Sequence, residues 1–72
     1  MMNDNPILEK IQIYQTLVSQ YELIDYHIDQ LIMKYGGASA NMTELALQEY
    51  RQLAEQRTAL LNEMRVLEEE LL

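Results

Sequence analysis

An all-α antiparallel two-helix hairpin, two copies of which close into a four-helix bundle, is the fold class this sequence predicts, and three observations predict it. Two long segments carry apolar residues at helical spacing, over 6–35 and 42–71. Between them, 36–41 holds both glycines of the chain, Gly36 and Gly37, and neither segment has an internal Gly or Pro. The 72 residues leave room for one small domain. With no cysteine and a single histidine, a chain this short has neither disulfides nor an evident metal site to supplement a core of ~3–5 kcal/mol, which leaves association as the remaining source of stability.

The first helix opens at Asn5-Pro6. Asn caps free amides, and proline fits the first turn, where its missing N–H costs nothing. Asp4 and Glu9 suit the positive end of the dipole. Apolar residues then recur at Ile7, Ile11, Tyr14, Val18, Tyr21, Ile28, Ile32 and Tyr35, with Asp25 interrupting and Leu17, Ile24 and Leu31 beside them. Three apolar positions in every seven suit a helix that touches more than one neighbour; two would suffice for a two-helix seam. Lys34 favours the helix end, and Gly36 can adopt the left-handed conformation that closes it.

For the second helix, Asn41-Met42-Thr43-Glu44 reads as a capping box with Asn41 as the cap and Ala40 and Leu45 as its hydrophobic staple. The periodic set is Ala46, Tyr50, Leu53, Arg57, Leu60, Met64, Leu67 and Leu71, flanked by Leu47, Ala54 and Leu61. Each helix spans about 45 Å at helical rise, so the hairpin closes along its whole length. Pairs Arg51–Glu55 and Arg65–Glu69 add a few tenths of a kcal/mol each. Glu68-Glu69-Glu70 stands at the unfavourable end of the dipole and frays unless Lys10 lies close.

A lone hairpin covers one side of each stripe, whereas two hairpins cover both. The expected self-association residues are Tyr14, Leu17, Val18, Tyr21, Ile24, Ile28, Leu31, Ile32, Tyr50, Leu53, Leu60, Leu61, Met64 and Leu67. A homodimer is the simplest arrangement, and docking onto a larger helical protein the next. Off the stripes, Leu23, Tyr26 and Met33, with Met42 and Leu45 near the loop, form a candidate patch for a further protein partner; scattered surface hydrophobes are the plainer account.

Charge narrows the partners. Twelve acidic against five basic residues give a net charge of −7, which repels phosphate backbones and anionic lipid, so nucleic acid and membrane are not the expected partners. The N-terminus has no basic leader region, no apolar run approaches the ~18–20 residues of a membrane span, and the lack of cysteine fits a reducing compartment. The expectation is a soluble, cytoplasmic chain.

Arg57 is the most informative single residue, because its helical neighbours Leu53, Ala54, Leu60 and Leu61 offer no carboxylate. An acidic group on another helix is expected to meet it and to fix register or partner choice; alternatively it snorkels at the bundle edge. Asp25 is the corresponding intruder on the first helix. Measured from the middle of the loop, the two are mismatched by about 8 Å at helical rise. That disfavours pairing within one hairpin and favours pairing between chains, or through Tyr50 or Gln20.

Glu22, Asp25 and Asp29 share a helix face, but His27 points about 160° or more from Asp25, and the Glu-x-x-His of di-metal bundles is missing. No metal or cofactor is expected. Ser19, Ser39, Thr16, Thr43 and Thr58 have no base beside them, and Gly36-Gly37 is a turn, not a phosphate loop. The five tyrosines read as stripe-edge residues with wet hydroxyls.

The hairpin plan resembles the Rop-type plasmid regulators, although their basic RNA-binding face has no counterpart in this acidic chain. Ser19-Gln20-Tyr21-Glu22-Leu23-Ile24-Asp25 resembles the Ser-Gln-Glu-Leu-Asp signature of sporulation-type aspartyl-phosphate phosphatases, with Tyr21 and Ile24 interposed. Small acidic secretion chaperones are similar in shape. The functional expectation is a non-catalytic interaction module: an adaptor, regulator or assembly factor. The alternatives are a phosphatase-like regulator of a phosphorylated receiver domain, using Glu22, Asp25 or Gln20, and an acidic nucleic-acid mimic that occupies a basic protein surface.

Overall fold

The computed structural model describes residues 5–72; Asp4, assigned to the first dipole on sequence grounds, lies outside them. The described chain is two antiparallel helices, α1 (Pro6–Lys34) and α2 (Glu44–Leu71), joined through a 3₁₀ turn at Ser39–Asn41. They have 29 and 28 residues, so the arms match in length. The molecule measures 53 × 22 × 17 Å.

Asn5 caps α1 as expected: its Oδ1 accepts from the amides of Ile7 at 3.0 Å and Leu8 at 3.2 Å, and Pro6 takes the first helical position. At the other end Gly37 N–H donates to Ile32 O at 3.0 Å and Gly36 N–H to Met33 O at 3.1 Å. These two bonds are the Schellman pair, which satisfies carbonyls that would otherwise face the turn unpaired. Both glycines have positive φ, 74° and 83°, where a Cβ would clash with the backbone. Tyr35 is the cap residue, so α1 ends one residue before the expected boundary.

The start of α2 differs from the sequence expectation. Thr43, not Asn41, is the cap; its Oγ1 accepts from Ala46 N–H at 3.1 Å, and the helix begins at Glu44. Asn41 closes the 3₁₀ turn, and its side-chain amide donates to Tyr35 O at 3.3 Å. With Thr43 as cap, the residue three positions on is Ala46, so there is no capping box; Glu44 serves the dipole. The staple positions become Met42 and Leu47. Met42 is only 8% exposed while Leu45 is 78% exposed, which removes Met42 from the proposed surface patch and Leu45 from the staple.

Composition divides the labour between the arms. Apart from Tyr50, Thr58, Asn62 and Val66, α2 is built from Leu, Ala, Glu, Gln, Arg and Met, all strong helix formers, whereas α1 carries six isoleucines and a valine whose branched side chains lose rotamer freedom in a helix. The shape of α1 therefore depends more on what it packs against. The seam between the arms buries Leu17 and Ile28 from α1 and Ala46 and Met64 from α2, with Met42 beneath the turn.

Candidate interaction surface

Three polar cross-links set the register of the hairpin. Arg57 Nη1 donates to Asp25 Oδ1 at 2.8 Å, Tyr14 Oη donates to Glu68 Oε2 at 3.0 Å, and Lys10 Nζ lies 3.2 Å from Glu70 Oε2. Asp25 and Arg57 stand equally far before and after Asn41, as do Tyr14 and Glu68. The chain thus folds back about residue 41, not about the middle of the glycine-containing segment. The expected 8 Å mismatch assumed the earlier turning point; with the later one it vanishes, and Asp25 pairs with Arg57 inside one hairpin. The connection is asymmetric about that point: α1 stops at Lys34, well before Asn41, whereas α2 begins at Glu44, just after it, so most of the connecting residues lie on the α1 side.

The hydrogen bond to Asp25 raises the Arg57 pKa, partly opposed by burial, so the guanidinium stays charged. The bond to Glu68 likewise raises the Tyr14 phenol above its ordinary value, with desolvation and the carboxylate charge adding to it. Tyr14 therefore departs from the expectation of wet tyrosine hydroxyls. Lys10 does lie beside the acidic end of α2 and offsets its unfavourable dipole position. Arg51–Glu55 and Arg65–Glu69 are not among the ion pairs of the described residues; at exposed helix positions, closing such a pair gains too little to offset side-chain entropy.

The expected self-association residues fall into two groups. Leu17, Ile28 and Met64 are buried in the seam of the single chain, while Tyr14, Val18, Tyr21, Ile24, Leu31, Ile32, Tyr50, Leu53, Leu60, Leu61 and Leu67 are half-buried. At 3.6 residues per turn the half-buried residues line two margins of the seam. Along one margin, Ile24 and Leu31, in the row of the buried Leu17, face Leu53, Leu60 and Leu67 with no polar residue among them; Lys10 continues the row at the open end. Along the other, Val18, Asp25 and Ile32 face Ala54, Leu61 and Glu68, and the Asp25–Arg57 and Tyr14–Glu68 cross-links lie there, whereas Lys10–Glu70 closes the open end of the first margin.

An open groove of about 370 Å³ marks the unbroken margin, with Ile24 and Leu60 in its floor, Leu23 and Ala59 on its walls and Gln20, Gln56 and Glu63 at its rim. A second, of about 400 Å³, continues toward the loop past His27, Leu31, Lys34 and Glu49. Sequence reasoning listed the residues of both margins without separating them. The interruption by Asp25 and Glu68 was the available signal.

Of the proposed off-stripe patch, Leu23, Tyr26 and Met33 are 55, 57 and 69% exposed. Leu23 belongs to the groove wall, and Tyr26 stacks obliquely against His27 at 5.9 Å. Among the described residues no three His, Cys, Asp or Glu side chains converge as metal ligands would, and no helix is long and apolar enough to cross a membrane. Asp25, one residue of the phosphatase-like segment, is engaged by Arg57.

No family model, curated protein or solved structure matches this chain.

Proposed function

We propose that this chain is a non-catalytic protein-interaction module whose working form is a homodimer, two hairpins joined as a four-helix bundle. The observation that carries the reading is incomplete burial. Among the described residues only four side chains of the two long apolar stripes, Leu17, Ile28, Ala46 and Met64, are buried, with Met42 buried beneath the turn. The accessible surface is 5662 Å², against about 4700 Å² expected of a compact monomer of 8.5 kDa from surface–mass scaling. The difference of roughly 1000 Å² is near the ~800 Å² that each partner contributes to a standard interface. A surface of half-exposed Leu, Ile and Tyr in rows at helical spacing suits a helical partner, and a second copy supplies one of matched length.

Sedimentation equilibrium with circular dichroism over a wide concentration range tests the reading. The expected result is a dimer whose helicity falls on dilution. A fully helical monomer of 8.5 kDa at all concentrations would overturn it.

A further inference from the structure

The two margins of the seam offer a partner different surfaces. Covering the margin of Asp25, Arg57, Tyr14 and Glu68 strips water from an ion pair whose side chains are 44 and 33% exposed, and that desolvation opposes the apolar gain. Along the margin of Ile24 and Leu60 the groove floor is hydrocarbon, its polar groups stand at the rim, and the Lys10–Glu70 pair lies at the open end, so covering its middle removes water chiefly from apolar surface.

We infer that a second copy of this chain docks on the margin formed by Ile24 and Leu31 with Leu53, Leu60 and Leu67, with both loops at the same end, so that α1 of each copy lies on α2 of the other. The inference rests on the self-association reading above and adds the face and the orientation. Area supports the occupant: the surface excess of roughly 1000 Å² matches one standard interface per chain.

Charge sets the orientation. One helical step outward from the apolar rows, α1 presents Gln20, His27 and Lys34, while α2 presents Glu49, Gln56 and Glu63. If the loops lay at opposite ends, α2 would lie on α2 and one acidic row would cover the other, in a chain already carrying −7. If the loops share an end, α1 lies on α2. Residues nearly equidistant from Asn41 then stand level across the interface: Lys34 with Glu49, Gln20 with Glu63, Ile24 with Leu60, and Leu31 with Leu53. Apolar layers meet apolar layers, and the cation meets a carboxylate.

Two measurements on the full chain test this. In sedimentation equilibrium, Leu60→Lys is expected to weaken self-association about 100-fold, because it sets a charge against an apolar row. Ala54→Lys, on the other margin, changes it less than about threefold. Leu23→Lys at the exposed groove wall weakens it about tenfold and keeps the test intact if Leu60→Lys fails to fold. With a spin label on Ser39→Cys in the loop, electron–electron dipolar spectroscopy is expected to give a distance within about 30 Å, from interaxial spacings of ~10 Å plus label arms. A distance near the ~45 Å helix length overturns the shared-end orientation. Stronger disruption by Ala54→Lys than by Leu60→Lys and Leu23→Lys overturns the choice of face. A wild-type chain that is monomeric throughout overturns the self-association reading itself.

Discussion

Asp25 Oδ1 and Arg57 Nη1 stand 2.8 Å apart, joining the two arms of the hairpin at positions equally distant from Asn41. Both partners keep contact with water, at 44 and 33% exposure, so the pair sets register more than it adds stability.

A double-mutant cycle follows from that exposure. Arg57→Met and Asp25→Ala are each expected to cost less than about 1 kcal/mol, with a coupling energy of about 0.5 kcal/mol that shrinks at high salt. Urea denaturation at low and high ionic strength reads it. A coupling of several kcal/mol, insensitive to salt, would show the pair to be buried in the working form, on the face that a partner covers.

Alkaline pH acts through Tyr14. Its phenol pKa is raised from the ordinary 10.0, chiefly by the hydrogen bond to Glu68. A group with a raised folded pKa contributes stability that is fully present below its unfolded value and is lost as pH rises through the folded one. The Tyr14 contribution is therefore constant at neutral pH and declines above about 10. Thermal melts of the wild type and Tyr14→Phe from about pH 8 to about pH 11, across the phenol range, should converge as the pH rises. Parallel curves would discount the bond.

The caps of α2 separate cleanly by mutation. Thr43→Ala removes the acceptor for Ala46 N–H and should cost about 1 kcal/mol. Asn41→Ala, which loses only an exposed bond of 3.3 Å to Tyr35 O, should cost about half of that or less. The reverse order in chemical denaturation would restore Asn41 as the cap.

Core truncation should follow the seam. Ile28 is 2% exposed, and Ile28→Ala is expected to cost about 2–4 kcal/mol. Leu45→Ala, at a position 78% exposed, should stay within about 0.5 kcal/mol. Equal effects at both sites would place Leu45 in an interface.

The helical hairpin was legible in the sequence because helix period, caps and glycines all point the same way. The Asn5-Pro6 start and the Gly36 stop needed no tertiary information. The start of α2 was less legible, since Asn41 and Thr43 are both good caps by chemistry, and the choice depends on how the Schellman turn delivers the chain into the 3₁₀ turn. The same geometry hid the Asp25–Arg57 pair: residue counting fixes a register only when the turning point is known, and a 3₁₀ segment shifts it. Met42 looked like a surface residue because its burial comes from the turn folding over it, not from helical periodicity. The difference between the two margins was written in the positions of Asp25 and Glu68, but it takes the packed pair of helices to show that these two residues lie on one side.

Two rungs of the hairpin, Tyr14 with Glu68 and Asp25 with Arg57, are separated by eleven residues on each arm, from 14 to 25 and from 57 to 68. One residue inserted between the rungs on a single arm would rotate everything beyond it by about 100° and carry the outer rung out of reach. An insertion among the exposed turn residues 36–40 disturbs neither rung, because loop length costs little. The arms can therefore lengthen or shorten only together and by close to a whole number of turns, which makes the hairpin a molecular ruler whose tip can vary while its graduations stay fixed.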